Sequence, residues 1–430
     1  MKVSNYNFFI KRGTGNKDYI AYNSRTNALA LVSEEQFEAV KNFENTGKMI
    51  EDTDFLEELK IGGFVINTEI NELEQIKFKM LRQRFRTDVL SLIIAPTSDC
   101  NFRCIYCYEK DSIKHPPMSL EVQDSIVDFV KQKSKTIKRL RVTWYGGEPM
   151  LCFEIIKKLS FEMIEICREN NIDYAAGIVT NGYFLTPENC KEFIDLKIMS
   201  MQITLDGDKE YHDSRRILKD GRGSFDKIIH NLQTIKGILP YKISIRINVD
   251  RENEKAIAHF LELLKKEEID NVVIPYLAMV KSINNCYSGD LCYSSKEFAS
   301  IYYDFELKKN SDRKLKGYPT LKYNFCCADM INAFVIDSDG NIYKCWDDIG
   351  IYERSVGSLM DKEKKKSLAL MQYMMYDPTQ DSECKECKIL PICMGGCHSC
   401  RIQGNDRCDY LKDYLEVYLT RIVGQIKNIN

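Results

Sequence analysis

Two periods of apolar and polar positions divide the chain. Up to about residue 80 the apolar runs are short and strand-like, at Tyr6 to Ile10, Tyr19 to Tyr22 and Ala28 to Val32. Helical spacing follows. Ser33-Glu34-Glu35-Gln36 reads as a capping-box start for a helix through Phe43, and Asp52 to Lys60 carries a second. Gly62-Gly63 stops that helix before a strand at Phe64 to Ile66, and a basic helix around Ile76 to Arg86, its charge reading as a solvated face, leads onward.

From Val89 the pattern changes to regular alternation. Strand runs at Leu90 to Ala95, Leu140 to Tyr145, Tyr174 to Thr180, Met199 to Leu205, Ile243 to Val249 and Val272 to Tyr276 enclose helical runs. These helices are expected at Leu120 to Lys133, Glu154 to Asn170, Pro187 to Leu196, Phe225 to Gly237 and Glu254 to Glu268. Such repetition predicts an α/β fold with a parallel sheet and right-handed crossovers, either a partial barrel or an open doubly wound sheet, which periodicity alone does not separate. After roughly Asn284 the alternation ends. Phe334 to Ile336 and Asn341 to Tyr343 flank the turn Asp337-Ser338-Asp339-Gly340 as a hairpin, and Tyr410 to Ile426 reads as a terminal helix. Three stretches are expected: 1–80, 81–295 and 296–430.

Composition narrows the function. At 430 residues the chain is long enough for two or three compact units. With Lys+Arg 61 against Asp+Glu 63, the net charge of -2 gives no global attraction for nucleic acid or acidic membranes. The start lacks an export signal and no apolar run is long enough to span a bilayer, so a soluble, cytoplasmic protein with neither a membrane nor a nucleic-acid partner is expected. In that setting 17 cysteines point to metal ligation rather than disulfides. None precedes Cys100, while Cys326, Cys327, Cys345, Cys384, Cys387, Cys393, Cys397, Cys400 and Cys408 crowd the last quarter. Cys152, Cys167 and Cys190 lie on helical patterns and read as core residues.

The chemistry starts at Cys100-Asn101-Phe102-Arg103-Cys104-Ile105-Tyr106-Cys107, in a loop that directly follows a strand. Three thiolates from one loop suit a four-iron cluster and leave one iron open for chemistry. A zinc site or buried core cysteines are the alternatives, and a zinc site lacks an evident fourth local ligand. The Cys-x3-Cys-x-aromatic-Cys spacing, with Tyr106 as the aromatic, resembles the signature of the radical S-adenosylmethionine (SAM) superfamily. Trp144-Tyr145-Gly146-Gly147-Glu148-Pro149 is similar to the family's GGE element, which contacts the SAM amino group. Thr180-Asn181-Gly182, Ile203-Thr204-Leu205-Asp206-Gly207 with His212-Asp213-Ser214-Arg215, and Arg246-Ile247-Asn248 resemble further strand-end elements of peptide-modifying members.

The resemblance implies a partial (β/α)6 barrel binding SAM and a cluster on Cys100, Cys104 and Cys107. Tyr106, Gly146, Gly147, Glu148, Asn181, Arg246 and Asn248 would then contact the cofactor, while His212 reads as structural. It also implies a shared opening step, in which the reduced cluster cleaves SAM to a 5′-deoxyadenosyl radical that removes a substrate hydrogen, with an electron donor such as flavodoxin or ferredoxin.

The late cysteines resemble a SPASM domain, the auxiliary-cluster domain of radical SAM maturases. By that analogy Cys384, Cys387, Cys393 and Cys408 hold an outer [4Fe-4S] cluster and Cys326, Cys345 and Cys397 an inner one, giving three clusters in all, with Cys327 the alternative to Cys326. A zinc ribbon of Cys384, Cys387, Cys393 and Cys397 is the competing reading. Gly317 to Phe325 lacks the fourth inner ligand that many relatives carry, leaving Cys286, Cys292, Cys400 or a substrate thiolate for that place. The first stretch resembles a winged-helix-like leader-recognition domain, implying a precursor peptide with a leader sequence as partner. The expected activity is peptide maturation, with cysteine thioether formation leading. Alternatives are anaerobic sulfatase maturation to formylglycine, carbon–carbon cross-linking or epimerisation, and a noncatalytic redox sensor. For the sulfatase-maturing type a carboxylate follows the hairpin cysteine directly, whereas here Trp346 takes that place and Asp347 comes next.

Overall fold

The computed structural model describes residues 1–13, 17–110, 116–309, 319–361, 368–405 and 407–427. The chain opens with β1 (Lys2–Val3), β2 (Asn7–Lys11), β3 (Tyr19–Asn23) and β4 (Ala28–Val32). Strands β2, β3 and β4 form an antiparallel meander, and β1 pairs with β5 (Val65–Ile66) beyond helices α1 (Glu34–Thr46) and α2 (Thr53–Gly62). The expected capping box is present: Ser33 accepts from the Gln36 N–H, and the Gln36 side chain accepts from Ser33 N. Helix α3 (Glu72–Arg84) follows, and Ile76, Met80 and Arg84 bury one of its sides, so the basic helix is only half solvated.

The alternating part consists of β6 (Val89–Ile94), β7 (Phe102–Cys104), α4 (Leu120–Ser134), β8 (Arg139–Trp144), α5 (Phe153–Glu169), β9 (Asp173–Thr180), α6 (Pro187–Asp195) and β10 (Ile198–Thr204). It continues through α7 (Lys209–Arg215), β11 (Arg216–Leu218), α8 (Phe225–Thr234), β12 (Ile243–Val249), α9 (Glu254–Lys266) and β13 (Val273–Met279). Strands β6, β8, β9, β10, β12 and β13 pair parallel in that order. A doubly wound sheet reverses its order partway, and these six strands do not. The ambiguity left by periodicity is thereby resolved towards the singly wound order of a partial barrel.

After α10 (Ser295–Lys309) come β14 (Ala333–Ile336), β15 (Asn341–Tyr343) and β16 (Gly357–Ser358), followed by α11 (Leu368–Met375), α12 (Leu390–Cys393), α13 (His398–Ile402) and α14 (Leu411–Lys427). The hairpin forms as expected, and β14 adds parallel to β6, extending the main sheet to nine strands. The Asp337 carboxylate holds its turn by accepting from Asp339 N, Asn341 N and the Tyr343 hydroxyl, with Gly340 at φ +81. Buried Lys344 donates to the carbonyls of Met330 and Ala333, which fixes the backbone just before Cys345.

The chain divides into two compact units that cut across the three expected stretches. One comprises Met1–Phe85, Ser295–Cys326 and Met375–Asn430, the other Arg86–Ser294 and Cys327–Met374. Within the first, Ile10, Ile20 and Tyr22 of the meander share a core with Ile389, Ile392 and Cys393 and with Leu415 and Leu419 of α14. Apolar burial thus ties the start of the chain to its late cysteine segment, while Val32, Val40, Phe43, Phe55 and Leu59 form a separate core of the N-terminal part. Within the second unit Cys152, Cys167 and Cys190 are buried core residues, as their helical positions suggested.

Candidate cluster and cofactor site

Apart from Arg246 in the middle of β12, every candidate of the first group lies just beyond or near the C-terminal end of a parallel strand, where sites of α/β sheets gather. The loop after β6 is shaped by its own polar side chains. Thr97 Oγ1 accepts from Asp99 N at 3.0 Å, and Asp99 Oδ1 accepts from Cys100 N at 2.8 Å. The short strand β7 pairs antiparallel with β11, which sets Arg216 directly opposite Cys104. A turn closed by Cys107 N donating to Cys104 O at 3.2 Å brings the next cysteine round. Phe102 N donates to Cys100 Sγ at 3.4 Å, holding the first thiol against the loop backbone. Burial is the first cause pushing all three thiols up, Cys107 to about 12. Three half-buried thiols carried by one loop fit an iron–sulfur cluster, whose irons would hold them as thiolates.

Gly146 and Gly147 seat this loop. At Gly146, with φ +111, a side chain would strike the Thr97 carbonyl, and at Gly147 it would strike the carbonyls of Ser98 and Asp99. Gly147 N donates to Thr97 O at 3.2 Å and Glu148 N to Asp99 O at 2.9 Å. The close approach that these glycines permit is made by the cysteine loop itself. The fully buried Glu148 carboxylate accepts from Met150 N at 3.0 Å, Thr180 Oγ1 at 2.7 Å and Asn181 N at 2.7 Å, tying the end of β8 to the end of β9. Burial raises its pKa against those donors. Asn181 in turn donates from Nδ2 to Asn101 Oδ1 at 2.7 Å, returning to the loop.

On the other side of the loop the Tyr106 hydroxyl donates to Asp206 and accepts from Arg216 at 3.0 Å and Asn248 at 3.1 Å. Arg246 Nε donates to Asn248 Oδ1 at 2.8 Å, and Asn248 N to Asp206 Oδ1 at 2.9 Å. Arg215 makes a two-pronged ion pair with Asp250 at 3.0 and 2.6 Å and lies over the Tyr106 ring. His212 is buried between Ser224 Oγ and Asp206 N; burial first, then Arg216 and Arg215, hold it neutral, well below the usual histidine range. The structure thus brings together Cys100, Cys104, Cys107, Tyr106, Gly146, Gly147, Glu148, Asn181, Arg246 and Asn248. It adds Asn101, Asp206, Arg215 and Arg216, which sequence reasoning left out of the site although Asp206 and Arg215 stood in the quoted elements.

A second polar group adjoins Cys107. The Tyr108 and Tyr145 hydroxyls are hydrogen-bonded, Tyr145 stacks on Trp346 at 5.2 Å, and buried Glu109 is pushed up to about 7, first by burial and then by Asp347. Cys286 donates from Sγ to Tyr106 O at 3.5 Å, which places this candidate inner ligand against the first loop, while Cys292 faces Ser288 O at 3.6 Å.

In the other unit Cys384, Cys387, Cys393 and Cys408 line one pocket with Arg407 and Lys412. Cys397 is absent from the residues that line it, and among the described residues no group of three or more His, Cys, Asp or Glu side chains is gathered closely enough to hold a single metal ion. Of the expected inner set, Cys326 and Cys397 belong to this unit, whereas Cys345 and Cys327 belong to the other. No helix among the described residues is long and apolar enough to cross a membrane.

Residues 94–264 match the radical SAM superfamily. A cysteine-type anaerobic sulfatase-maturating enzyme of Clostridium novyi is 24% identical over 79% of this chain and 98% of its own length. A serine-type counterpart from Bacteroides thetaiotaomicron is 26% identical over 69% of this chain and 80% of its own. Among solved structures, native anSMEcpe with bound AdoMet and Kp18Cys peptide matches at a TM-score of 0.62 and 21% identity, covering 79% of this chain and 99% of the other. Streptococcus suis SuiB bound to precursor peptide SuiA matches at 0.55 and 15%, covering 95% and 98%.

Proposed function

We propose that this chain, whose residues 94–264 match the radical SAM superfamily, is a radical SAM enzyme that modifies a ribosomally made precursor peptide, forming cysteine thioether cross-links. Bound SAM and a [4Fe-4S] cluster supply the hydrogen-abstracting chemistry. Cys100, Cys104 and Cys107 hold the cluster and leave one iron without a protein ligand. The glycine pair and Glu148 fix the loop and strand ends, while Tyr106, Asn181, Arg246 and Asn248 present polar atoms at the edge where SAM binds.

The observation that carries the peptide assignment is one of extent. The fold shared with an enzyme solved on a precursor peptide covers 95% of this chain, against 79% for the sulfatase-maturating structure. The longer match leaves room for the N-terminal meander and helices, read here as the leader-binding, winged-helix-like part. Cys384, Cys387, Cys393 and Cys408 hold an outer auxiliary cluster. Flavodoxin or ferredoxin donates the electrons.

Formylglycine formation is the second reading, favoured by the names of the sulfatase-maturating relatives and weakened by Trp346 in the place of that type's carboxylate. Although one residue later than in that type, the Asp347 carboxylate is close enough to act on Glu109 and Tyr108 beside Cys107. Co-expression with a cysteine-containing precursor peptide followed by mass spectrometry separates the two. Loss of two hydrogens per cross-link supports thioether formation, and a product captured by an aldehyde-reactive probe supports formylglycine.

A further inference from the structure

We propose that Arg216 is the resident counter-charge of the iron–sulfur cluster on Cys100, Cys104 and Cys107, and that it raises that cluster's reduction potential. The inference rests on the cluster assignment made above.

The register of the short ladder β7–β11 gives the geometry. Arg216 is the residue directly opposite Cys104, a relation that places facing side chains about 5 Å apart at their Cβ atoms. Its guanidinium is buried, with 8% of the residue exposed, over the Phe102 ring. A buried guanidinium normally finds a carboxylate, and the neighbouring Arg215 does so in Asp250. Arg216 has no carboxylate within ion-pair distance among the described residues. Asp206 accepts from Tyr106 and Asn248 and lies 3.8 Å from Arg215. Arg216 spends one N–H on the Tyr106 hydroxyl, and its Nε–H has no partner.

The segment is also held in place. Ser224 Oγ donates to Arg216 O at 2.9 Å and Ile105 N to Arg215 O at 3.0 Å, so the guanidinium cannot escape to solvent without opening the ladder. A fixed, permanently charged guanidinium that faces a cluster ligand and reaches the Asp206 carboxylate only through the Tyr106 hydroxyl is a cation that the negative charge of the cluster would meet at short range.

Reduction adds one electron to the cluster; no bond breaks and no proton moves. With three thiolates the assembly passes from a net charge of minus one to minus two. A buried cation beside it favours the more negative state, and hydrogen bonding and net charge near the sulfurs are established determinants of such potentials.

The test is a potentiometric titration of the full-length, anaerobically reconstituted protein with dithionite as reductant, followed by electron paramagnetic resonance. The relevant signal is identified beforehand by its change on adding SAM. In R216Q the reduced-to-oxidised ratio at the parent's midpoint should fall about tenfold, equivalent to about 59 mV. R216K, which keeps the charge, should stay within about threefold of the parent. An unchanged ratio in R216Q overturns the proposal. Should R216Q load no cluster, R216K decides: loading with a parent-like ratio supports the counter-charge, and failure to load overturns it, because shape rather than charge would then be what the site requires. A parent protein with no SAM-responsive signal defeats the cluster assignment itself, a different result from a signal that R216Q leaves in place.

Discussion

Gly147 is the residue on which the cysteine loop rests. Its missing side chain lets the carbonyls of Ser98 and Asp99 approach, and these lie one and two positions before Cys100. Gly147→Ala should lose most of the iron bound at the triplet and destabilise the fold by about 1–3 kcal/mol, measured as iron per chain and as the denaturation midpoint. His212 supplies a second test at this scale. Its folded pKa is depressed by burial and by the two arginines, so its contribution to stability is complete above the unfolded value of about 6.5 and declines as pH falls towards the folded value. The acid limb of the stability profile should therefore carry up to about 1.4 kcal/mol per pH unit from this side chain below about 6.5, and that slope should be absent in H212N.

At the scale of elements, the six parallel strands were legible because each is an apolar run bounded by turn residues, and β12 spans Ile243–Val249 in pattern and structure alike. Cys100, Cys104 and Cys107 were legible because one loop carries them all. The ladder β7–β11 was not. It has three residues on each side, too few for a period, and its partners are far apart in sequence, so neither Arg216 nor its place opposite Cys104 could be read. Glu148 shows the same limit: its spacing resembled a family element, but only the structure shows its carboxylate engaged by Met150, Thr180 and Asn181. The pocket of Cys384, Cys387, Cys393 and Cys408 joins residues from the turn before α12, its end and the segment before α14. C384A should lower bound iron by about four atoms per chain while the SAM-responsive signal persists, as expected for a separate four-iron cluster. Iron analysis and resonance spectra of the variant check this.

For the whole molecule, the sheet in one unit and the cysteine pocket in the other divide the work as the proposal requires. The strand ends of the first assemble the loop, the glycine pair and the buried network of Tyr106, Asp206 and Asn248. The second joins the N-terminal meander to the late cysteine segment through one core. The central claim is that Cys100, Cys104 and Cys107 hold a cluster that cleaves SAM. It is tested most directly by incubating the reconstituted protein with SAM and dithionite without oxygen and measuring 5′-deoxyadenosine by chromatography. Formation of 5′-deoxyadenosine by the parent, and none by the variant with all three cysteines replaced by Ala, is the predicted result; equal formation by both would contradict the account.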